Sequence, residues 1–121
     1  MRISRFEEIK AWQNAKELTL KIYRTCTKEK FKNDGFLLEQ IKRSSVSIMA
    51  NIAEGFARQT NKEFIQFLFI AKASSAELQS HLHLAFDLKY ISNNEFVSLY
   101  DLCEVVQKQM SGLIKYLKSN L

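Results

Sequence analysis

The hydrophobic positions along the chain repeat with the period of an α-helix in four long segments. In each segment apolar residues recur every three or four positions, the spacing that places them on one face of a helix. The pattern predicts helices over residues 6–27, 36–58, 61–90 and 94–119. Residues 28–35 between the first two helices are polar and end in Gly35, so we interpret them as the longest loop.

Two predicted helices begin with a capping box, in which a Ser or Thr side chain and a Glu three residues later satisfy each other's backbone amides. Thr60 and Glu63 have this spacing at the start of the third helix. Ser92 and Glu95 have it at the start of the fourth. These pairs mark where the two helices begin.

The second predicted helix is apolar on more than one side. Residues 44–53 contain no charged side chain, so this helix must be covered on more than one face. Gly55 near its end would cost about 1 kcal/mol relative to alanine in a helix interior. A close crossing with another helix, or a nearby helix end, would explain that glycine.

Four amphipathic helices with mostly short connections predict an all-α fold, an antiparallel up-down-up-down four-helix bundle. We expect one domain spanning residues 1–121. The chain has no proline and three glycines, which are too few turn-forming residues for a sandwich of short strands. Its 46% hydrophobic and 26% charged residues exclude a disordered chain.

A continuous polar ridge follows one side of the second predicted helix at steps of three and four residues. It could be a solvated outer face. Alternatively, it is a hydrogen-bonded ridge that contacts another helix or another subunit, because Ser and Asn are poor helix formers on an exposed face. Glu54 and Arg58 could form an ion pair on it. The ridge consists of Gln40, Ser44, Ser47, Asn51, Glu54 and Arg58.

The charge is positive and concentrated in the N-terminal half. Eighteen Lys and Arg against thirteen Asp and Glu give a net charge of +5, which would attract a polyanion such as RNA or DNA. The alternative is scattered charge that only keeps the protein soluble. The candidate phosphate-binding residues are Arg2, Arg5, Lys42, Arg43, Arg58 and Lys62.

Motifs for catalysis or metal binding are not evident. Cys26 and Cys103 lack metal-ligand spacing and are interpreted as buried free thiols in a reducing cytoplasm. Glu77 and His81 are four residues apart, whereas carboxylate-bridged bundles use Glu-x-x-His, so a structural role is expected. We therefore expect no enzymatic activity, cofactor, metal or small-molecule substrate, and a cytoplasmic protein without a signal peptide or membrane span.

The stretch QIKRSSVSIMANIAEG at residues 40–55 resembles the hallmark of the small bacterial four-helix bundle proteins, also called 23S rRNA intervening-sequence proteins. The resemblance covers about residues 6–117. It implies a left-handed bundle that assembles into a ring-like homopentamer, with no established enzymatic activity. The motif positions expected to matter for assembly are Gln40, Ser44, Ser47, Asn51, Glu54, Gly55, Arg58 and Glu77.

The sequence departs from the family pattern at four positions. Lys32 and Met49 replace a common proline, while Ala73 and Lys89 replace a common glycine. We expect all four residues to favour helix. A group with a similar fold, the accessory variability proteins of diversity-generating retroelements, binds nucleic acid through a basic ring surface.

Two functional hypotheses follow. The first is a non-enzymatic, self-assembling four-helix bundle that binds RNA or DNA through a basic surface. The second is a structural protein–protein interaction module with no nucleic-acid role.

Overall fold

The computed structural model describes residues 3–121, and within that range the regular structure is entirely helical. A 3-10 turn at Phe6–Glu8 precedes α1 (Lys10–Thr25). The remaining helices are α2 (Glu29–Lys32), α3 (Gly35–Ala57), α4 (Asn61–Asp87) and α5 (Asn93–Lys118). The expected all-α class is confirmed, with four long helices and one short one.

The first predicted helix is interrupted near its start. Ile9 has an extended backbone (φ −75°, ψ 120°) and separates the 3-10 turn from α1. Its side chain is buried in the core, and Phe6 packs edge-on against Trp12 at a centroid distance of 5.0 Å. The prediction of a continuous helix from residue 6 is therefore wrong, because the extended backbone at Ile9 interrupts it where the Ile9 side chain enters the core.

The predicted long loop contains the short helix α2. Phe31 in this helix is buried and stacks on Tyr90 at a centroid distance of 5.4 Å. Asp34, which follows, caps α3 by accepting a hydrogen bond from the Leu37 amide at 3.1 Å and another from the Tyr90 hydroxyl at 3.0 Å. A single apolar residue shows no periodicity, which is why the sequence pattern missed this helix.

Gly55 lies at a close crossing of α3 and α4, as one of the two explanations for it predicted. A Cβ atom at Gly55 would lie 2.6 Å from the Phe67 Cβ and 3.0 Å from the Phe64 Cδ1. Such distances are well below van der Waals contact. The missing side chain therefore sets how closely α3 and α4 approach.

The capping box at α5 is complete, whereas the one at α4 is half formed. Ser92 and Glu95 exchange both hydrogen bonds. Thr60 Oγ1 accepts from the Glu63 amide at 3.2 Å, but the Glu63 carboxylate accepts from the Thr60 hydroxyl instead of its backbone amide. The prediction of a reciprocal box at Thr60 is therefore only partly correct.

Helix α4 ends at Asp87, before the predicted residue 90, in a Schellman motif. The Tyr90 amide donates to the Ala85 carbonyl, and the Lys89 amide donates to the Phe86 carbonyl. Lys89 has a left-handed backbone (φ 65°) that favours glycine. The expectation that this lysine favours helix is therefore wrong: it occupies a position that terminates the helix.

Each long helix packs mainly against two others. Helices α1 and α4 each contact α3 and α5, and the apolar faces of all four line a shared core. Buried isoleucines at positions 41, 48 and 52 face that core from α3. This arrangement leaves the outer sides of the four long helices as the surfaces on which a binding site could form.

Candidate functional site

The polar ridge of α3 forms hydrogen bonds to α4. The Ser44 hydroxyl lies 3.0 Å from Glu77 Oε1 and 2.7 Å from the Gln40 carbonyl, and it can donate to either oxygen. Further along, the hydroxyls of Ser47 and Ser74 are 2.9 Å apart. Two polar contacts on successive parts of the seam hold the helices in one register.

The remaining ridge residues form their hydrogen bonds within one turn along the chain. Asn51 Nδ2 donates to the Ser47 carbonyl at 2.8 Å and lies 3.0 Å from the Ser47 hydroxyl. Glu54 and Arg58 form the ion pair that their spacing suggested, at 2.9 Å. Ser44 is buried, Ser47 and Asn51 are half-buried, and Glu54 is exposed. The ridge thus runs from the α3–α4 seam to the surface.

An exposed apolar stripe runs along α4 next to this ridge. Ile70, Glu77 and Leu84 recur every seven residues and therefore share one side of the helix, with Leu88 one turn further. The exposed fractions of the three apolar residues are 50%, 48% and 41%. This side of α4 therefore exposes apolar surface on both sides of the exposed Glu77, with Ile70 before it and Leu84 and Leu88 after it.

Two of the candidate phosphate-binding arginines have carboxylate neighbours in the structure. Arg58 lies 2.9 Å from Glu54 and 3.8 Å from Glu63, and its guanidinium lies over the Phe67 ring at 4.9 Å from the centroid. Arg5 lies 3.4 Å from a carboxylate oxygen of Glu7. These partners compete with any phosphate. Arg2, another candidate, lies outside the described residues.

Three other candidates have no carboxylate within ion-pair distance in the described part of the chain, namely Lys42, Arg43 and Lys62. They do not form one patch. Arg43 and Arg58 are separated by about 22 Å along α3 at 1.5 Å per residue, and Lys42 lies over the Tyr23 ring at 5.0 Å from its centroid. The structure therefore separates Lys42 and Arg43, in the first half of α3, from Arg58 and Lys62 beside the α3–α4 turn.

A basic surface on α4 and α5 was missed by the sequence analysis. Lys72 and Lys118 come from helices far apart in sequence, yet both ammonium groups lie over the ring of Phe69, at 5.8 Å and 5.3 Å from its centroid. A signal was available: residues 64–76 and 105–121 contain no Asp or Glu. Assigning the positive charge to the N-terminal half hid it, because acidic residues elsewhere in α4 and α5 balance these lysines.

The surroundings of the two cysteine thiols and of the Glu77–His81 pair fit structural roles. Burial raises the pKa of Cys26 to about 11 and that of Cys103 to about 12, so neither is an activated nucleophile. His81 Nε2 is buried and has no hydrogen-bond partner among residues 3–121. No group of three or more His, Cys, Asp or Glu side chains among residues 3–121 is arranged to hold a metal ion.

These features define an all-helical protein with a hydrogen-bonded seam between two of its long helices. The family model of the 23S rRNA-intervening sequence protein matches residues 7–112. The chain belongs to that family, as the resemblance of residues 40–55 predicted.

A solved structure supports the fold. The crystal structure of a protein with unknown function from the S23 ribosomal protein family of Bacteroides thetaiotaomicron is similar, with a TM-score of 0.79 and 27% sequence identity. The match covers 87% of this chain and 98% of that one. No curated protein matched the chain. Within residues 3–121 none of the helices combines the length and the apolar character that crossing a membrane requires.

Proposed function

We propose that this protein is a non-enzymatic, left-handed, up-down-up-down four-helix bundle that assembles with copies of itself through the outer face of α3 and α4. The assembly size implied by the family resemblance is a pentamer. The whole chain acts as one domain, and its biological activity is that of an interaction surface rather than a catalytic site.

The order of contacts along the helices supports the antiparallel topology. Ser44 contacts Glu77 while Ser47 contacts Ser74, so position numbers rise on α3 as they fall on α4. Asn61 and Asn120, at the start of α4 and just after α5, are also joined by a hydrogen bond of 3.2 Å. The α3–α4 pairs and the Asn61–Asn120 hydrogen bond are the contacts expected of antiparallel neighbours joined by short connections.

The observation that carries the assembly proposal is the exposed stripe of Ile70, Leu84 and Leu88. Covering three half-exposed aliphatic side chains removes apolar surface from water, which is the main favourable term in association. The adjacent Ser44–Glu77 and Ser47–Ser74 pairs keep α3 and α4 in register, so the stripe is presented on a defined surface.

The test is the mass of the assembly in solution. Ile70→Glu places a charge in the stripe and should shift sedimentation of the protein toward the 14.1 kDa monomer. Val105→Glu on α5 is the matched control, because Val105 is similarly exposed at 43% but lies off the stripe. A wild-type protein that sediments as a monomer at micromolar concentration would refute the proposal.

The cysteines support a location in the reducing cytoplasm, since both Cys26 and Cys103 are free thiols.

A second candidate function, binding of RNA or DNA, is favoured by the net charge of +5 and by the unpaired cations. Charge reversal at Lys42 and Arg43 tests the first half of α3, and reversal at Lys62 tests the start of α4. Specific phosphate contacts predict that affinity falls as salt rises and that one of these variants weakens binding more than the other. No detectable affinity at low salt would instead leave the interaction module, with no nucleic-acid role, as the function.

A further inference from the structure

The first half of α4 and the last half of α5 together form a surface that is rich in lysine. The hydrogen bond from Asn61 to the Asn120 carbonyl joins these segments at one end of the molecule. Residues 61–76 and 105–121 carry five lysines and one acidic residue, Glu63, and the Glu63 carboxylate is 3.8 Å from Arg58. The two segments therefore carry a local net charge of +4.

The lysines on these segments lie at helical spacing. Lys108, Lys115 and Lys118 are exposed and follow one side of α5 over about 15 Å. On α4, exposed Lys62 is seven residues before Phe69 and shares its side of the helix. None of these lysines forms an ion pair among residues 3–121. We call these lysines, together with Lys72 and Phe69, the α4–α5 basic face.

Phe69 places an aromatic ring within this positive surface. Its side chain is 46% exposed, and the ammonium groups of Lys72 and Lys118 lie over it. Cation–π contacts at an exposed site are weak. Both lysines can therefore move from the ring to a phosphate when a planar group takes their place on the ring.

An exposed aromatic ring with flanking cations fits one form of nucleic acid better than the other. Bases in a duplex are already stacked on their neighbours, whereas unpaired bases are free to stack on an aromatic side chain. Proteins that bind single strands combine such a ring with a positive groove that follows the backbone.

We infer that the α4–α5 basic face binds single-stranded nucleic acid, with Phe69 stacked on an unpaired base and Lys72 and Lys118 holding the adjacent phosphates. The inference rests on the nucleic-acid binding proposed above, and it specifies the surface and the strand form. The α4–α5 basic face lies on a different side of α4 from the Ile70 stripe, since residues 69 and 70 point about 100° apart on a helix. A self-assembled protein can therefore keep this face open.

The experiment measures binding of the full chain to fluorescent oligo(U), to oligo(dT) and to a DNA duplex of the same length over a salt series. Phe69→Leu should weaken single-strand binding roughly tenfold through lost stacking. Lys72→Gln combined with Lys118→Gln should reduce the steepness of the log K against log salt plot by about 1.4, the value for two phosphate contacts with a single strand.

Two matched controls isolate the face from general effects of charge and hydrophobicity. Lys30→Gln combined with Lys32→Gln removes the same charge from α2, which packs beside Tyr90 beyond the far end of α4. Phe36→Leu removes another exposed phenyl ring, 79% exposed on α3. Circular dichroism establishes that each variant is folded.

Selective loss in Phe69→Leu and in the Lys72/Lys118 variant supports the inference. Equal loss in the α2 control, or a preference for duplex, overturns it while leaving nucleic-acid binding itself in place. No binding of any oligonucleotide at low salt overturns both this inference and the nucleic-acid function. If the wild type binds vesicles containing anionic lipid but binds no oligonucleotide, that result also overturns both the single-strand inference and the nucleic-acid function.

Discussion

Replacing Gly55 with alanine tests whether the approach of α3 and α4 is set by a missing side chain. An alanine Cβ would lie 2.6 Å from the Phe67 Cβ, an atom bonded directly to the α4 backbone. Rotation of the Phe67 side chain cannot move that atom away. The two helices would have to separate by on the order of 1 Å to restore an ordinary carbon–carbon contact.

The magnitude follows from three contributions to the free energy of unfolding. Alanine gains about 1 kcal/mol over glycine from helix propensity. Overpacking at the crossing costs about 1–3 kcal/mol. Separation of α3 and α4 also stretches the Ser47–Ser74 contact of 2.9 Å, worth about 1 kcal/mol. We expect Gly55→Ala to destabilise the protein by about 2 kcal/mol.

Gly112→Ala is the matched control, because it makes the same chemical change inside α5. A Cβ at Gly112 meets nothing within 4 Å, so this variant should gain about 1 kcal/mol from propensity alone. Urea unfolding followed by circular dichroism should separate the two midpoints by about 1–2 M. Protein concentration must be equal, because self-association stabilises the folded state.

Equal stabilisation by the two alanines would refute the reasoning, since it would mean that α3 and α4 accommodate a Cβ at Gly55 without cost. A Gly55→Ala variant that loses stability while Gly112→Ala gains it would show that the close contact outweighs helix propensity.

Three further predictions concern a helix end, the thiols and an acidic residue. Lys89→Gly should raise the free energy of unfolding by about 0.5–1 kcal/mol, because the backbone there is left-handed (φ 65°), and a lower urea midpoint would contradict it. Cys26 and Cys103, whose pKa values burial raises to about 11 and 12, should react with a disulfide reagent at neutral pH only after unfolding; rapid labelling of the native protein would contradict this. Burial raises the pKa of Glu95, but hydrogen bonds from the Lys28 ammonium and a backbone amide outweigh burial and lower it from 4.5. The resulting stability is present above pH 4.5 and is lost as pH falls through the lowered pKa, so urea midpoints of Glu95→Gln measured over acidic pH should fall less steeply than those of the wild type.

The helices and several of their ends are determined by local pattern. Apolar spacing located the four long helices, because a helix in a folded domain must bury one continuous side. The Ser92–Glu95 capping box was readable because both partners lie within one turn. Gly55 was recognised as unusual because glycine destabilises a helix interior relative to alanine.

Features that depend on contacts with residues further along the chain were not predicted from the spacing of apolar and polar residues. Phe31 became part of a helix only because Tyr90 and the core cover it. Arg58 is a candidate phosphate ligand whose pairing with Glu54 the sequence already suggests, but its approach to Glu63 at 3.8 Å forms only once α3 turns into α4. In both cases a contact formed by folding changed the role of a residue.

The sequence by itself determined the helical class, the family motif and the polar ridge, since each depends on residues that lie within a few helical turns of one another. Only the tertiary structure decided which surfaces those helices present. It placed Lys118 beside Lys72 and Phe69. The physical reason is that side-chain periodicity fixes which residues share one helix face, whereas the charge of a surface depends on which two faces meet.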